Sequence, residues 1–511
     1  MMVSNSSLFV RESTGLVKEA GFWDAVSINV ANMSIGTALA TIGFTLAALP
    51  TVLGVNLVYA SLIAAIFALP QVVVYSTLIK YIPRVGGDYV WLGRALGPKL
   101  AWLTNGLVLG FVVQDLAYYA LISFAAVFQL KSILPILGVN TTMQLTEEII
   151  TAVAFFALIV LVNILGTRYG IRLMTVLTTV SLMGLLVAIV TLFITPKSQI
   201  VNAISSLLPP GYTYSKVSLS YAGPEFSLSN ILMLLPFFAI YVYPWLNAGP
   251  AISAEIKGKS ALYLNMPVAF LFALLTLTLG FEAMYYSLGF NFVTAALSNP
   301  NINGLVNGNV NFWTIAMVSA HNAVLSWLIG IASVTWYLSL LAYGAIVAVR
   351  YWFALAFDRV WPSFFTYLSP RFGSPVYAHL FDLGVSSALI VAVGLFYGTF
   401  TALYGATVGA LLYFMAVGAA AVVVGARNTI GISNAARVTL MIAGSLTIVV
   451  MTYLTYEFIM YPSIWGGNWL AYGVVAAAIL LGIALYATSR YVNMKRYGID
   501  ISMAYAEIPP E

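Results

Sequence analysis

Stretches of about twenty apolar residues recur along the whole chain, and no other feature narrows the possible folds as much. An apolar run of that length matches the thickness of a bilayer's hydrocarbon core when it is helical. The runs are continuous. Membrane β-strands alternate polar and apolar residues, so a barrel is excluded and helices are the spanning elements. Charge agrees. Only 7% of the 511 residues are Asp, Glu, Lys or Arg, against 61% hydrophobic. A soluble domain carries roughly 25% charged residues, so lipid must cover most of this surface.

Twelve spans are expected, at 23–49, 53–80, 97–130, 147–165, 169–195, 229–254, 262–288, 323–351, 376–397, 402–425, 436–460 and 467–490. The basic residues test this layout, because cytoplasmic loops are enriched in Lys and Arg. With the N-terminus inside, only Lys131, Lys197 and Lys216 of the 21 Lys and Arg fall outside. Adding or removing one span would scramble that partition. Both termini are therefore expected in the cytoplasm of a multi-pass protein of the cell membrane. Residues 1–22 are polar and read as a cytoplasmic segment, with no apolar core of a cleavable signal. Residues 491–511 form a cytoplasmic tail too short to fold alone. The outer loops 196–228 and 289–322 read as covers over the bundle, the second with a short re-entrant or surface helix around Trp313.

Two spans are interrupted. The first contains Asn29, Asn32, Ser34, Gly36, Thr37, Thr41 and Gly43. The sixth contains Tyr241, Tyr243, Pro244, Trp245, Asn247, Gly249 and Pro250, where two prolines remove ladder bonds inside an apolar run. Gly and Pro also serve as packing notches in membrane helices. Two interruptions five spans apart fit the other reading better, an inverted repeat of five-helix halves with a solute site at the breaks. The halves would be 23–195 and 229–425, with 436–490 adding two further helices.

Several motifs resemble those of amino acid permeases in the amino acid–polyamine–organocation superfamily, which share the leucine-transporter-type fold. Gly36-Thr37-Ala38-Leu39 resembles the first-helix core, with Ala38 replacing its second glycine. Pro83-Arg84-Val85-Gly86-Gly87-Asp88-Tyr89, followed by Arg94-Ala95-Leu96-Gly97, resembles the loop after the second helix and is the most specific match. Asn163-Ile164-Leu165-Gly166, Glu255-Ile256-Lys257, and Arg350 with Ala354, Ala356 and Asp358 follow the same pattern. Trp245-Leu246-Asn247 departs from it, lacking the usual carboxylate.

The resemblance implies a secondary transporter, symporter or antiporter, that moves an amino acid or related amine by alternating access. It implies that the first break binds the substrate carboxylate through the amides of Gly36, Thr37, Ala38 and Leu39. The ammonium would meet carbonyls near Met33 and Tyr241 to Tyr243, with Tyr241, Tyr243, Trp245 and Asn247 around the site. The aromatics serve equally well as packing. Proton-coupled relatives carry a lysine on the fifth helix, at about Ser181 here, which argues against that form of proton coupling. A Na⁺ site would draw on Ser333, Thr335 and Ser339. Hydroxyls are also ordinary packing elements in such helices. The coupling ion is thus H⁺ or Na⁺, with no other cofactor expected.

Intramembrane charges are costly and usually functional. Asp115, in the middle of the third span, is the leading contact for an ammonium, a Na⁺ or a proton. The alternative is an Asp hydrogen-bonded to a neighbouring helix. Glu282 lies toward the outer end of the seventh span. Asp382 and Glu457 read as reaching the interface, and His321 and His379 as structural. Arg94, Arg350 and Asp358 fall where an inner gate would be, Arg350 serving equally well as a cytoplasmic anchor. A membrane-embedded enzyme would need a cluster of acids or a His or Lys base on a loop, and none is present. The zero cysteine count excludes thiol chemistry. The partners expected are a small polar solute and the bilayer, with no nucleic acid. Another organic solute carried on the same fold is the closest alternative.

Overall fold

A computed structural model describes residues 15–139, 142–303, 310–396, 405–428 and 430–508. Among them the chain is all helical. The one β-type contact is a parallel bridge between Ala20 and Ile256. Eleven stretches are long and apolar enough to cross a membrane. The first is Phe22–Ala48, divided into α1 (Phe22–Asn32) and α2 (Ile35–Ala48). Then follow α3 (Leu57–Tyr81), a short α4 (Asp88–Leu96), α5 (Ala101–Ile133), α6 (Leu145–Ile164) and α7 (Thr167–Ile194). Next come α8 (Leu228–Tyr241), one turn α9 (Ala248–Ala251), α10 (Lys259–Leu288), α11 (Phe290–Ser298), α12 (Phe312–Val318) and α13 (Ala323–Phe357). The last are α14 (Val376–Leu395), α15 (Thr407–Arg427), α16 (Asn434–Met460) and α17 (Trp469–Tyr497).

The sixth expected span, 229–254, is where the structure differs most. Its helix stops at Tyr241 and resumes only for the four residues of α9, so it never becomes one long element. Several span boundaries shift by a few residues. Helix α13 runs six residues past 351 and α17 seven past 490. The expected start at 402 falls outside the described residues, and α15 begins at Thr407. The described part of loop 289–322 holds three helices, Phe290–Ser298, Pro300–Asn303 and Phe312–Val318, and Trp313 on the last of them is fully buried within the bundle.

Local chemistry explains the ends. Asn56, Asn311, Asn322, Ser433 and Asn468 each accept from first-turn amides of the helix they precede, which satisfies donors that have no intrahelical partner. Gly166 (φ +152°) turns the corner between α6 and α7, a conformation open to glycine. Helices α5 and α13 are buried for most of their length and form the centre. Small residues let the helices meet. Gly482 of α17 lies on the backbone of Asn105, and Gly344 of α13 lies under the ring of Tyr119, the close approach expected where lipid offers no hydrophobic drive.

Candidate functional site

The first break lies at Met33 and Ser34. Ser34 takes φ +24°, an uncommon value for a residue with a side chain that costs on the order of 1–3 kcal/mol. Its hydroxyl donates to Thr37 Oγ1 at 2.6 Å and its carbonyl accepts from the Ala38 amide at 3.1 Å. The amides of Ile35, Gly36 and Thr37 therefore precede the first hydrogen bond of α2 and point into the break. They carry the positive end of the helix dipole. Of the four amides expected there, Gly36 and Thr37 lie at the helix end. Ala38 donates within the chain, and Leu39 lies one residue further inside α2, packed beneath Gly280. Gly36 has a second role: an added Cβ would stand 2.1 Å from the Trp336 ring. Its carbonyl accepts from Trp313 Nε1 at 2.9 Å.

The second break runs from Val242 to Asn247. The amides of Val242 and Tyr243 share the Phe238 carbonyl. The Trp245 indole donates to the carbonyls of Ala239 and Ile240 at 3.0 and 2.9 Å. Gln71 donates to the Pro244 carbonyl at 2.8 Å. Side chains of the protein thus occupy three carbonyls that the helix break exposes.

The breaks touch. Asn32 donates to Asn247 Oδ1 at 2.9 Å, and Asn29 accepts from the Gly249 amide at 3.0 Å. Asn247 in turn donates to the Tyr351 hydroxyl at 3.3 Å. Asn247, where the family pattern carries a carboxylate nearby, is thus a neutral clasp between the two broken helices and α13.

On the face away from the chain ends, a cavity of about 540 Å³ opens beside these breaks. Thr41 and Phe44 of α2, Gln129 of α5, Tyr241 of α8 and Tyr337 of α13 line it, with Asn303 and Asn311 from the 289–322 segment. Three aromatics named from the sequence separate here. Tyr241 lines the cavity. Trp245 stacks on Tyr118 outside it, with centroids 6.3 Å apart. The Tyr243 hydroxyl shares a hydrogen bond with Ser61 at 2.8 Å, on the α3 side. Met33 is fully buried at the break.

Asp115 is buried and does not line the cavity. Its carboxylate accepts from Tyr119, one turn along α5, at 3.3 Å. Of the four hydroxyls considered for a coupling ion, Ser181 and Thr335 meet across α7 and α13 at 2.8 Å. Ser333 accepts from Gln129 at 3.1 Å, and Ser339 bonds only the Trp336 carbonyl. Glu282 is exposed on α10. Asp382, expected at the interface, is fully buried instead. Glu457 is also buried.

The face that carries the chain ends is closed in layers. Gly87 takes φ +40° and lies against Pro250, where an added Cβ would fall 2.4 Å from its carbonyl carbon. The Gly86 amide donates to Ala251 at 3.0 Å and Ser253 donates to the Arg84 carbonyl at 2.9 Å. Arg350 grips Glu255 through two 2.8 Å hydrogen bonds, both side chains buried. The Glu255 carbonyl accepts from the amides of Glu19 and Ala20, which ties the N-terminal segment to the break.

Asp88, between the spans α3 and α5, collects three tyrosine hydroxyls. Tyr351 donates at 2.7 Å, Tyr75 at 2.9 Å and Tyr413 at 3.0 Å. Burial pushes its carboxyl up to about 6, against the pull of those three donors. Further out, Arg94 pairs with Asp358 at 3.0 Å, and Tyr89 donates to the same carboxylate at 2.7 Å. Burial draws the Arg94 guanidinium below its ordinary range.

The tail completes this layer. Tyr505 is fully buried and its hydroxyl lies 2.8 Å from Tyr89 and 2.7 Å from Asn105. Arg94 stands 5.3 Å from its ring and donates to the Glu507 carbonyl. The sequence pointed to Arg94, Arg350 and Asp358 as gate residues, but it gave no sign of Tyr505 or of the Asp88 cluster. Only the motif loop containing Asp88 marked the place.

This arrangement defines a class: a polytopic α-helical membrane protein with two broken helices that meet beside a cavity. The chain belongs to the amino acid permease family, whose sequence profile matches residues 21–480. That membership makes it a membrane transporter rather than an enzyme. It is also similar to "Uncharacterized protein 399" of Sulfolobus islandicus rod-shaped virus 1, 26% identical over 256 residues. That match covers 46% of this chain and 63% of the viral protein.

Proposed function

We propose that this permease is a secondary transporter that carries an amino acid or related amine by alternating access, here with its outer side open. The observation that carries the reading is the pair of apposed breaks. Three amides at Ile35 to Thr37 stand at a helix N-terminus, where an anion is favoured, one turn before the α2 residues Ala40 and Thr41 that line the cavity with Tyr241. A substrate carboxylate fits those amides. Its ammonium finds hydroxyl and amide oxygens from Thr41, Tyr241 and Gln129 on the cavity wall.

The face with the chain ends is cytoplasmic in this reading, in line with the distribution of Lys and Arg. The helices count as twelve when α8 and α9 are taken as one broken span, arranged as two inverted five-helix repeats plus α16 and α17. Asp115 is given no direct contact with the solute, since it lies outside the cavity lining and its carboxylate accepts from Tyr119. Coupling to Na⁺ would have to displace the Ser181–Thr335 hydrogen bond.

A thermal-shift screen of the purified protein against the twenty amino acids and common polyamines tests this, with and without Na⁺. A ligand that binds only the folded protein raises its melting temperature by mass action. The expected result is a shift with one class of amino acid, abolished by Gly36→Ala. A well-folded protein that responds to none of them would move the reading to another organic solute on the same fold.

A further inference from the structure

Helix α14 carries the densest set of polar atoms that the solute path leaves unused. His379, Asp382 and Ser386 are spaced three and four residues apart, so they share one helix face. That face is buried: none of the three is more than 1% exposed. Ser386 donates to Asp382 Oδ1 at 3.3 Å. The second carboxyl oxygen and both ring nitrogens of His379 have no hydrogen-bond partner. Each unsatisfied buried polar group costs about 1–3 kcal/mol, and an isolated charge costs more. Two titratable side chains kept in such a place within the membrane point to a function.

The neighbours say which. Helix α5 contributes Asp115 and Tyr119, and Tyr119 lies within electrostatic range of Asp382. Helix α13 contributes Tyr343 and Arg350, and Arg350 acts in the same way on His379. Arg350 spends two nitrogens on Glu255 and has its third, Nη1, unpartnered. Helix α6 brings only Glu147 and Glu148 at its outer end, the latter paired with Lys131. The turn Ser363–Thr366 brings no charge. Among the described residues no ion pair compensates Asp382. A proton is the ligand that would: it converts the carboxylate to an acid able to donate from its free oxygen. The groups form a file, from Arg350 at the closed gate through His379 and Asp382 to Tyr119 and Asp115 at the level of the breaks.

We propose that Asp382, on the helix face it shares with His379, is a proton-binding site in α14 and that its proton is the ion coupled to solute movement. One proton binds the carboxylate and leaves it again, with no other bond made or broken. Only the coupling half of this proposal rests on the permease reading.

The test starts without any solute. Infrared difference spectra of the purified full-length protein, titrated between about pH 4 and pH 9, report protonated carboxyls by their carbonyl stretch. A band that vanishes as pH rises, is absent from Asp382→Asn and persists in Glu457→Gln is the expected result. His379→Gln shifts the midpoint of that band, because it replaces the one titratable side chain that shares this helix face with Asp382. Identical titrating bands in wild type and Asp382→Asn would overturn the site.

Proteoliposomes then test coupling, with whichever amino acid shifts the melting temperature. Asp382→Asn keeps exchange but loses at least tenfold in accumulation driven by a proton gradient. Undiminished accumulation would overturn the coupling. A titrating Asp382 in a protein that binds no amino acid would sustain the site and sink the substrate assignment instead.

Discussion

The two faces of the bundle are held by different chemistry. At the face with the chain ends, Gly87 presses on Pro250, Arg350 pairs with Glu255, three tyrosines meet Asp88, and Arg94, Asp358 and Tyr505 close over them. At the opposite face the broken helices are tied to their cover by a few neutral contacts. Trp313 donates to the Gly36 carbonyl, and Asn303 donates to the Gly43 carbonyl. A closed gate built from buried charge is specific and brittle, since removing one partner strands the other. Neutral hydrogen bonds are each worth roughly 0.5–1.5 kcal/mol, but Trp313 is also fully buried, so displacing this segment costs its apolar burial as well. The difference between the two faces is thus one of charge more than of burial.

The charged face should therefore break more sharply than the neutral one. Arg350→Gln leaves Glu255 buried without its ion pair and should cost about 3–5 kcal/mol. The loss should appear as a lowered melting temperature and as labelling of a Ser253→Cys reporter from that face. The chain has no cysteine of its own, so a single reporter reads cleanly. Glu255→Gln in the Arg350→Gln background should recover part of the loss.

Asp88 adds a pH dependence of about 3 kcal/mol at most, at 1.36 kcal/mol per unit. Its closed-state value of about 6 exceeds the ordinary 3.8, so the closed gate binds more protons than an open, hydrated one. Protons favour closure. The stabilisation is fully present below pH about 4 and is lost as pH rises to about 6. Asp88→Asn should flatten reporter labelling across that window, and a slope of opposite sign would break the assignment.

On the other side of the comparison, Gly36→Ala drives a methyl group into Trp336. It should cost about 1–3 kcal/mol by overpacking and abolish the ligand-induced thermal shift. Tyr505→Phe removes hydrogen bonds to Tyr89 and Asn105 and should raise reporter labelling about five-fold, the equivalent of about 1 kcal/mol. Arg490→Gln severs a half-exposed pair with Asp500 and should change neither readout by more than about 1 kcal/mol. A large effect there would show that the tail is held by surface charge and not by Tyr505.

Much of this was legible in the sequence. Apolar length located the spans, and Gly, Asn and Pro marked both breaks to within a few residues. The first break nevertheless falls at Ser34, two residues before the glycine motif. Gly36 itself answers to the Trp336 ring 300 residues away, a contact no local pattern carries. The gate was legible as a motif and not as chemistry. Asp88 sits in the loop Pro83–Tyr89, but its partners Tyr75, Tyr351 and Tyr413 come from three separate helices. Asp382 looked interfacial because it lies close to the start of a span. Its burial follows from the way α5, α6 and α13 surround that end of α14.

Counterflow in proteoliposomes tests the central claim most directly. Vesicles loaded with the amino acid that raises the melting temperature should draw in labelled external solute against its own gradient, and Gly36→Ala vesicles should not. Solute that equilibrates at the same rate with empty and loaded vesicles would contradict alternating access at these breaks.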